Sequence, residues 1–193
     1  MSPRRGESRE RMVESAAVLL REYGASATSI DRVLLHSGAS RGSVYHYFPD
    51  GRSQLIGEAV DLAGEYIGQK FEAMIEAGDP VGSLDAFFEY WRVRLVKSDF
   101  RTGCSVAAVA VETNDEAPEL ARLAAAAFVR WQETLTLLLV RGGVSEDRGK
   151  RLAAMVIAAV EGAIIMCRAQ RSADPLDAVA VELHDLLVLA LSG

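Results

Sequence analysis

The stretch TSIDRVLLHSGASRGSVYHYF, Thr28 to Phe48, constrains the fold of this chain more than any other. It predicts two short helices joined by a tight turn. Thr28 is placed to cap the first, with Asp31 three residues on in the Ser/Thr-x-x-Asp/Glu pattern. Ile30, Val33 and Leu34 follow at helical spacing, and Ser37-Gly38 ends the helix, since glycine takes the left-handed C′ conformation without a Cβ penalty. Ser40 is placed to cap the second helix, and Pro49 ends it. Val44 and Phe48 lie four residues apart and share an inner face, whereas Arg41, Ser43, Tyr45 and His46 fall on other faces and turn outward. Two helices with that outward surface are what a helix-turn-helix requires.

Each part of the surface has a chemistry to offer. Arg41 and Ser43, near the helix start, can reach base edges in a major groove, where arginine forks onto guanine. Gly42 lets the backbone approach DNA closely. Tyr45 and His46 present hydroxyl and imidazole to phosphates, and Tyr47 completes the outward run. Thr28 and Ser40 mark capped helix starts whose N–H groups suit phosphates. Arg52 is expected on phosphates too, so Arg52→Ala should weaken binding to every sequence and lessen its salt slope. The competing reading is a surface helical hairpin whose tyrosines merely pack.

The same stretch resembles the DNA-binding segment of the TetR family of one-component transcriptional regulators. The resemblance rests on T-S-I before the first helix, S-G-A-S in the turn and R-G-S-V-Y-H-Y-F in the second helix. F-P-D-G-R, the later G-C-S-V and E-G-A-I-I-M are similar to a branch that includes regulators of drug-efflux genes. Leu34 stands where much of the family has alanine, and a larger residue there implies altered packing of the two helices. The resemblance implies repression, a homodimer on a palindromic operator, and a pocket for a small apolar or aromatic effector.

Bulk properties agree with a DNA-contacting end on an acidic body. The net charge is −6, yet residues 1–56 carry eight Arg/Lys against six Asp/Glu, and the remainder carries a net −8. Hydrophobic content of 50% is ample for a core over 193 residues. Cys104 and Cys167 are too few for a disulfide framework or a metal cluster. Met1 to Arg11 lacks an apolar segment of the secretory kind, and Glu161 interrupts the most apolar region. The expectation is a cytoplasmic protein with reduced thiols, no membrane span, and no metal or cofactor.

Almost all of the chain reads as helix. Ser2 to Ser8 is expected to be an arm carrying Arg4 and Arg5 toward phosphates or a minor groove. A first helix, from about Arg9 to Tyr23, carries the stripe Val13, Ala16, Ala17, Leu20 and completes a three-helix head. A fourth, from about Arg52 to Ala77, would run roughly 40 Å and could join head to body. Further helices are expected at about Pro80–Lys97, Cys104–Glu112 and Pro118–Arg141, with a loop at Asn114–Pro118. Ser145 opens the next, and Asp174-Pro175, as N-cap and N1, opens the last. The fold class is therefore all-α: an N-terminal helix-turn-helix head over residues 1–51, and a helical ligand-binding and dimerisation bundle over 52–193, about nine helices in all.

Ala153 to Met166 is apolar nearly all round, and such a helix must be covered on every face. Pairing of the last two helices with those of a second subunit is expected to use Met155, Ala159, Ile164, Met166, Val179, Leu183, Leu186 and Leu187. The plain alternative is that they fill the chain's own core. Two heads on a two-fold axis would read half-sites ~34–36 Å apart or a multiple of it. Phe88, Trp91, Phe128, Trp131 and Met155 are the large side chains expected around an effector, with Arg92, Cys104 and Glu112 as polar anchors.

No GxGxxG, GxxxxGK followed by Ser or Thr, or HExxH is present, and no acid–base pair stands out, so no enzyme is expected. Two alternatives stay open at this point. One is a thiol-based redox-sensing DNA-binding regulator using Cys104 or Cys167; the other is an all-α interaction protein that does not bind DNA.

Overall fold

The computed structural model describes residues 5–113 and 117–192, and these are helical throughout apart from short turns, with no strand among them. Nine helices follow in order: α1 (Arg5–Tyr23), α2 (Ile30–Ser37), α3 (Arg41–Tyr47), α4 (Gly51–Ala77), α5 (Pro80–Lys97), α6 (Ser105–Glu112), α7 (Pro118–Arg141), α8 (Glu146–Gln170) and α9 (Asp174–Leu191). They form two compact units. Of the described residues, one holds 5–65 with 104–113 and 117–127, the other 66–103 with 128–192.

In the first unit α1 packs on α2 and α6, and α2 on α3. Its centre is the α1 stripe, with Ala16 and Leu20 fully buried, together with Val33, Val44, Phe48, Ile56 and Val60. Helix α6 lies far along the chain from α1, yet Ser105 Oγ donates to the Ala17 carbonyl at 3.0 Å and ties the two together. The first helix begins four residues earlier than its apolar period suggests. Arg5 is its first residue rather than part of an arm, with Glu7 favourably placed in the opening turn. Arg4 and residues 114–116 of the expected loop lie outside the described residues.

The second unit centres on α5, α8 and α9. Helix α5 buries Leu84, Phe87, Phe88, Trp91 and Leu95, the side expected from its spacing. Asp79 caps it by accepting from Gly82 N at 3.0 Å, with Pro80 in its first turn. Helix α9 starts at Asp174 with Ala173 at the cap, one residue before the position expected from Asp174-Pro175. Both α7 and α8 are long and apolar enough to cross a membrane, which corrects the expectation that Glu161 forbids such a span. Their apolar character has a core explanation: Trp131, Leu135 and Leu138 of α7, and Val156, Val160 and Ile164 of α8, are buried.

Candidate functional site

The α2–turn–α3 element is built as a platform. Gly38 ends α2 at φ 68°, its N–H donating to Leu34 O, and Leu34 itself is buried. Val44 and Phe48 have no exposed surface, so α3, only seven residues long, is anchored from beneath by two side chains. That anchoring leaves Ser40, Arg41, Gly42, Tyr45 and His46 exposed, with Ser43 and Tyr47 half-buried. Tyr45 is the most open large ring of the helix, at 62% exposure. His46 and Tyr47 meet edge to face at 5.0 Å, while Ser43 Oγ donates to Ser40 O at 2.6 Å. Arg41 pairs with Asp31 of α2 while both remain mostly exposed. Such a pair is weak enough (~0–1 kcal/mol) to give way to a stronger acceptor.

Three expectations need correcting. The cap of α2 is Ser29, whose Oγ accepts from Arg32 N at 3.2 Å. Thr28 is buried instead: its hydroxyl donates to Gly24 O at 2.7 Å and its N–H to Ala25 O at 3.1 Å, leaving nothing for a phosphate. Ser40 stands at the cap position of α3, but its side chain makes no capping bond. Arg52, expected on phosphates, is engaged within the chain. Its Nε donates to Thr28 O at 2.9 Å and a terminal nitrogen to Ala25 O, both part-buried.

The eight side chains expected around an effector are divided between the two units. Glu112 and Cys104 lie in the first unit, the rest in the second. Arg92 pairs with Asp177 at 3.1 Å on the surface, and Met155 is 40% exposed. Trp91 and Trp131 do come together, lining a cavity with Ile67, Phe71, Phe87, Val156, Ile157, Val160 and Glu161. Phe128 packs against Trp131 at 5.3 Å from outside that lining, and Phe88 borders a surface groove with Arg92 and Asp177. The cavity is about 10 Å³, room for one water. The Trp91 indole N–H is buried there without an acceptor.

Of the expected pairing residues on α8 and α9, Ile164, Leu183 and Leu187 are spent inside the chain, and Ala159, Val179 and Leu186 are half-buried. Met155 and Met166 are exposed, beside Ile165 at 55%. On α9 the open apolar side chains are Val181, Val188 and Leu189. Both cysteines are buried. Burial pushes the Cys167 thiol up, aided by Asp177 and Asp174 and only partly countered by a bond to the Leu176 backbone. A protonated, enclosed thiol is unreactive.

Comparison with known proteins decides the class. Residues 13–59 match the model of bacterial regulatory proteins of the tetR family, and residues 80–182 match that of the LmrA/YxaF-like transcriptional regulator C-terminal domain. This chain belongs to the TetR family. An uncharacterised HTH-type transcriptional regulator of Mycobacterium tuberculosis H37Rv is 48% identical over 190 residues, 95% of each chain. The HTH-type transcriptional regulator LmrA of Bacillus subtilis 168 is 31% identical, covering 94% of this chain and 97% of its own. Among solved structures, a TetR-family regulator from Agrobacterium tumefaciens superposes with a TM-score of 0.84 at 21% identity, covering 94% of this chain and 98% of its own. As a TetR-family member the chain is a DNA-binding transcriptional regulator, not an enzyme, and α2 and α3 both lie within the matched N-terminal region.

Proposed function

We propose that this TetR-family protein is a cytoplasmic, ligand-responsive repressor that binds a palindromic operator as a homodimer and is released by a small apolar or aromatic effector. DNA contact falls to Ser40, Arg41, Gly42, Ser43, Tyr45, His46 and Tyr47. The observation that supports the dimer is the set of exposed apolar side chains Met155, Ile165 and Met166 on α8, with Val181, Val188 and Leu189 on α9. Apolar side chains left open on a charged, water-exposed protein favour a second apolar surface. A two-fold pair of such faces makes a four-helix bundle. Release is supported by the aromatic cavity, whose walls offer large apolar contact and whose Trp91 N–H lacks an acceptor. Entry of an effector requires those walls to part, and a coupling of ~1–3 kcal/mol would lower operator affinity about 5–150-fold.

Selection of bound sequences from a random DNA library tests the reading. A symmetric enriched site with half-sites about one turn apart, or a multiple of it, is expected. An asymmetric site, or a stable monomer at micromolar concentration by sedimentation, would sink the dimer. A mobility-shift panel of apolar aromatic compounds tests release, and uniform silence would remove the effector from the proposal.

A further inference from the structure

The turn between α1 and α2, residues 24–29, decides where α2 lies and therefore where α3, docked on α2, presents its face. Its backbone is held from two sides by side chains of opposite charge. Glu112, at the end of α6, accepts from Ala25 N at 3.0 Å with one carboxylate oxygen and from Ser26 N at 2.6 Å with the other. Arg52, in the first turn of α4, donates to the carbonyls of Thr28 and Ala25. Glu112 lies directly over Gly24, which stands at φ 83°: a Cβ there would come within 1.9 Å of the carboxylate. Burial raises the Glu112 carboxyl, but the bonds from Ser26 and Ala25 and the nearby Arg52 outweigh it and leave the pKa lowered. The N–H groups thus meet an anion and the C=O groups a cation, at a peptide segment that supplies no charge of its own.

We propose that Glu112 and Arg52 are positioning residues for operator reading, a two-sided clasp that sets the angle of the α2–α3 pair through the 24–29 backbone. Through Glu112, the place of α6 is communicated to the DNA-reading helix. Operator binding needs side chains to meet base edges within a fraction of an ångström, whereas binding to arbitrary DNA depends on phosphate neutralisation. Loosening the clasp should therefore erode discrimination and spare general affinity. This is the opposite signature to a phosphate-contacting Arg52, whose loss would reduce the salt slope by about one.

The test measures affinity of full-length Glu112→Gln and Arg52→Gln proteins for a selected operator and for random DNA across a salt series. Each variant is expected to bind operator about tenfold more weakly, the scale of one lost charged hydrogen bond. Random-DNA affinity at the operating salt and both salt slopes should stay within twofold and within half a unit of the parent. The double variant should lose less than the product of the single losses, because both act on one turn. Glu112→Gln keeps the size and one acceptor oxygen, so it carries the test if Arg52→Gln fails to fold by circular dichroism. Unchanged discrimination in Glu112→Gln, even with a lowered Tm, overturns the proposal by making the contact a fold-stabilising one alone. A salt slope lowered by about one in Arg52→Gln overturns the clasp on its cationic side.

Discussion

The outer face of α3 and the outer face of α8 are both left uncovered, but with opposite chemistry. Helix α3 buries Val44, with Phe48 buried just beyond its end, and presents Arg41, Tyr45 and His46. Helix α8 buries Val156, Val160 and Ile164 and presents Met155, Ile165 and Met166. The uncovered side of each helix shows the surroundings it suits. Hydrogen-bonding and charged groups suit a duplex that offers phosphates and base edges, and thioether and aliphatic groups suit another apolar surface.

The largest effect expected is at the anchor rather than the face. Phe48→Ala should cost about 3–5 kcal/mol in denaturant unfolding, and with it operator binding, because the α3 surface has no other support of that size. A loss below about 1 kcal/mol would mean that the platform does not depend on its buried ring. Next comes the apolar face. Ile165→Glu should raise the dimer dissociation constant about 100-fold or more by sedimentation, since an unpaired charge would have to enter an apolar contact, while monomer helicity stays unchanged. An unmoved dissociation constant would break the comparison, leaving α8 with idle exposed side chains.

Arg41→Ala should lose about 1–3 kcal/mol of operator-over-random discrimination, read in competition binding, with little change in Tm because its Asp31 pair is exposed. A smaller effect, set by pH, concerns Glu112. Its carboxyl sits below the ordinary 4.5 when folded, so its contribution is complete above that value and is lost as pH falls through the lowered one. The stability gap between parent and Glu112→Gln should stay level from neutral pH to about 5 and close in more acid solution. Smallest is Gly42→Ala. A Cβ there meets nothing within 4 Å, so stability should hold or rise by up to about 1 kcal/mol. Operator affinity should nonetheless fall if the α3 backbone closes on DNA.

Sequence period served well where punctuation and apolar spacing agree. Helices α5 and α7 begin at Pro80 and Pro118 and end at Lys97 and Arg141, the bounds expected from the sequence. Helix α1 starts ahead of its apolar stripe because Arg5 to Ser8 carries no apolar period, yet a charged first turn is compatible with helix. Thr28 and Ser29 are both able to cap, and only tertiary packing decides: the Thr28 hydroxyl is drawn inward to Gly24 O. In α8 and α9, apolar residues on every face hide which side turns in: Ile164 and Leu187, expected at a pairing surface, are buried within the chain, while Ile165 and Leu189 are exposed. Glu112 carried no local signal at all, since its partners lie 86 and 87 residues away and are backbone amides. Membership of the TetR family, by contrast, is legible because residues 28–48 keep a local motif.

The aromatic cavity has a practical corollary. The chain holds two tryptophans, and both Trp91 and Trp131 form part of its wall. Their ultraviolet emission is therefore a built-in optical gauge of that interior. Whatever small molecule enters will quench or shift the whole signal, with no background from indoles elsewhere and no label to attach.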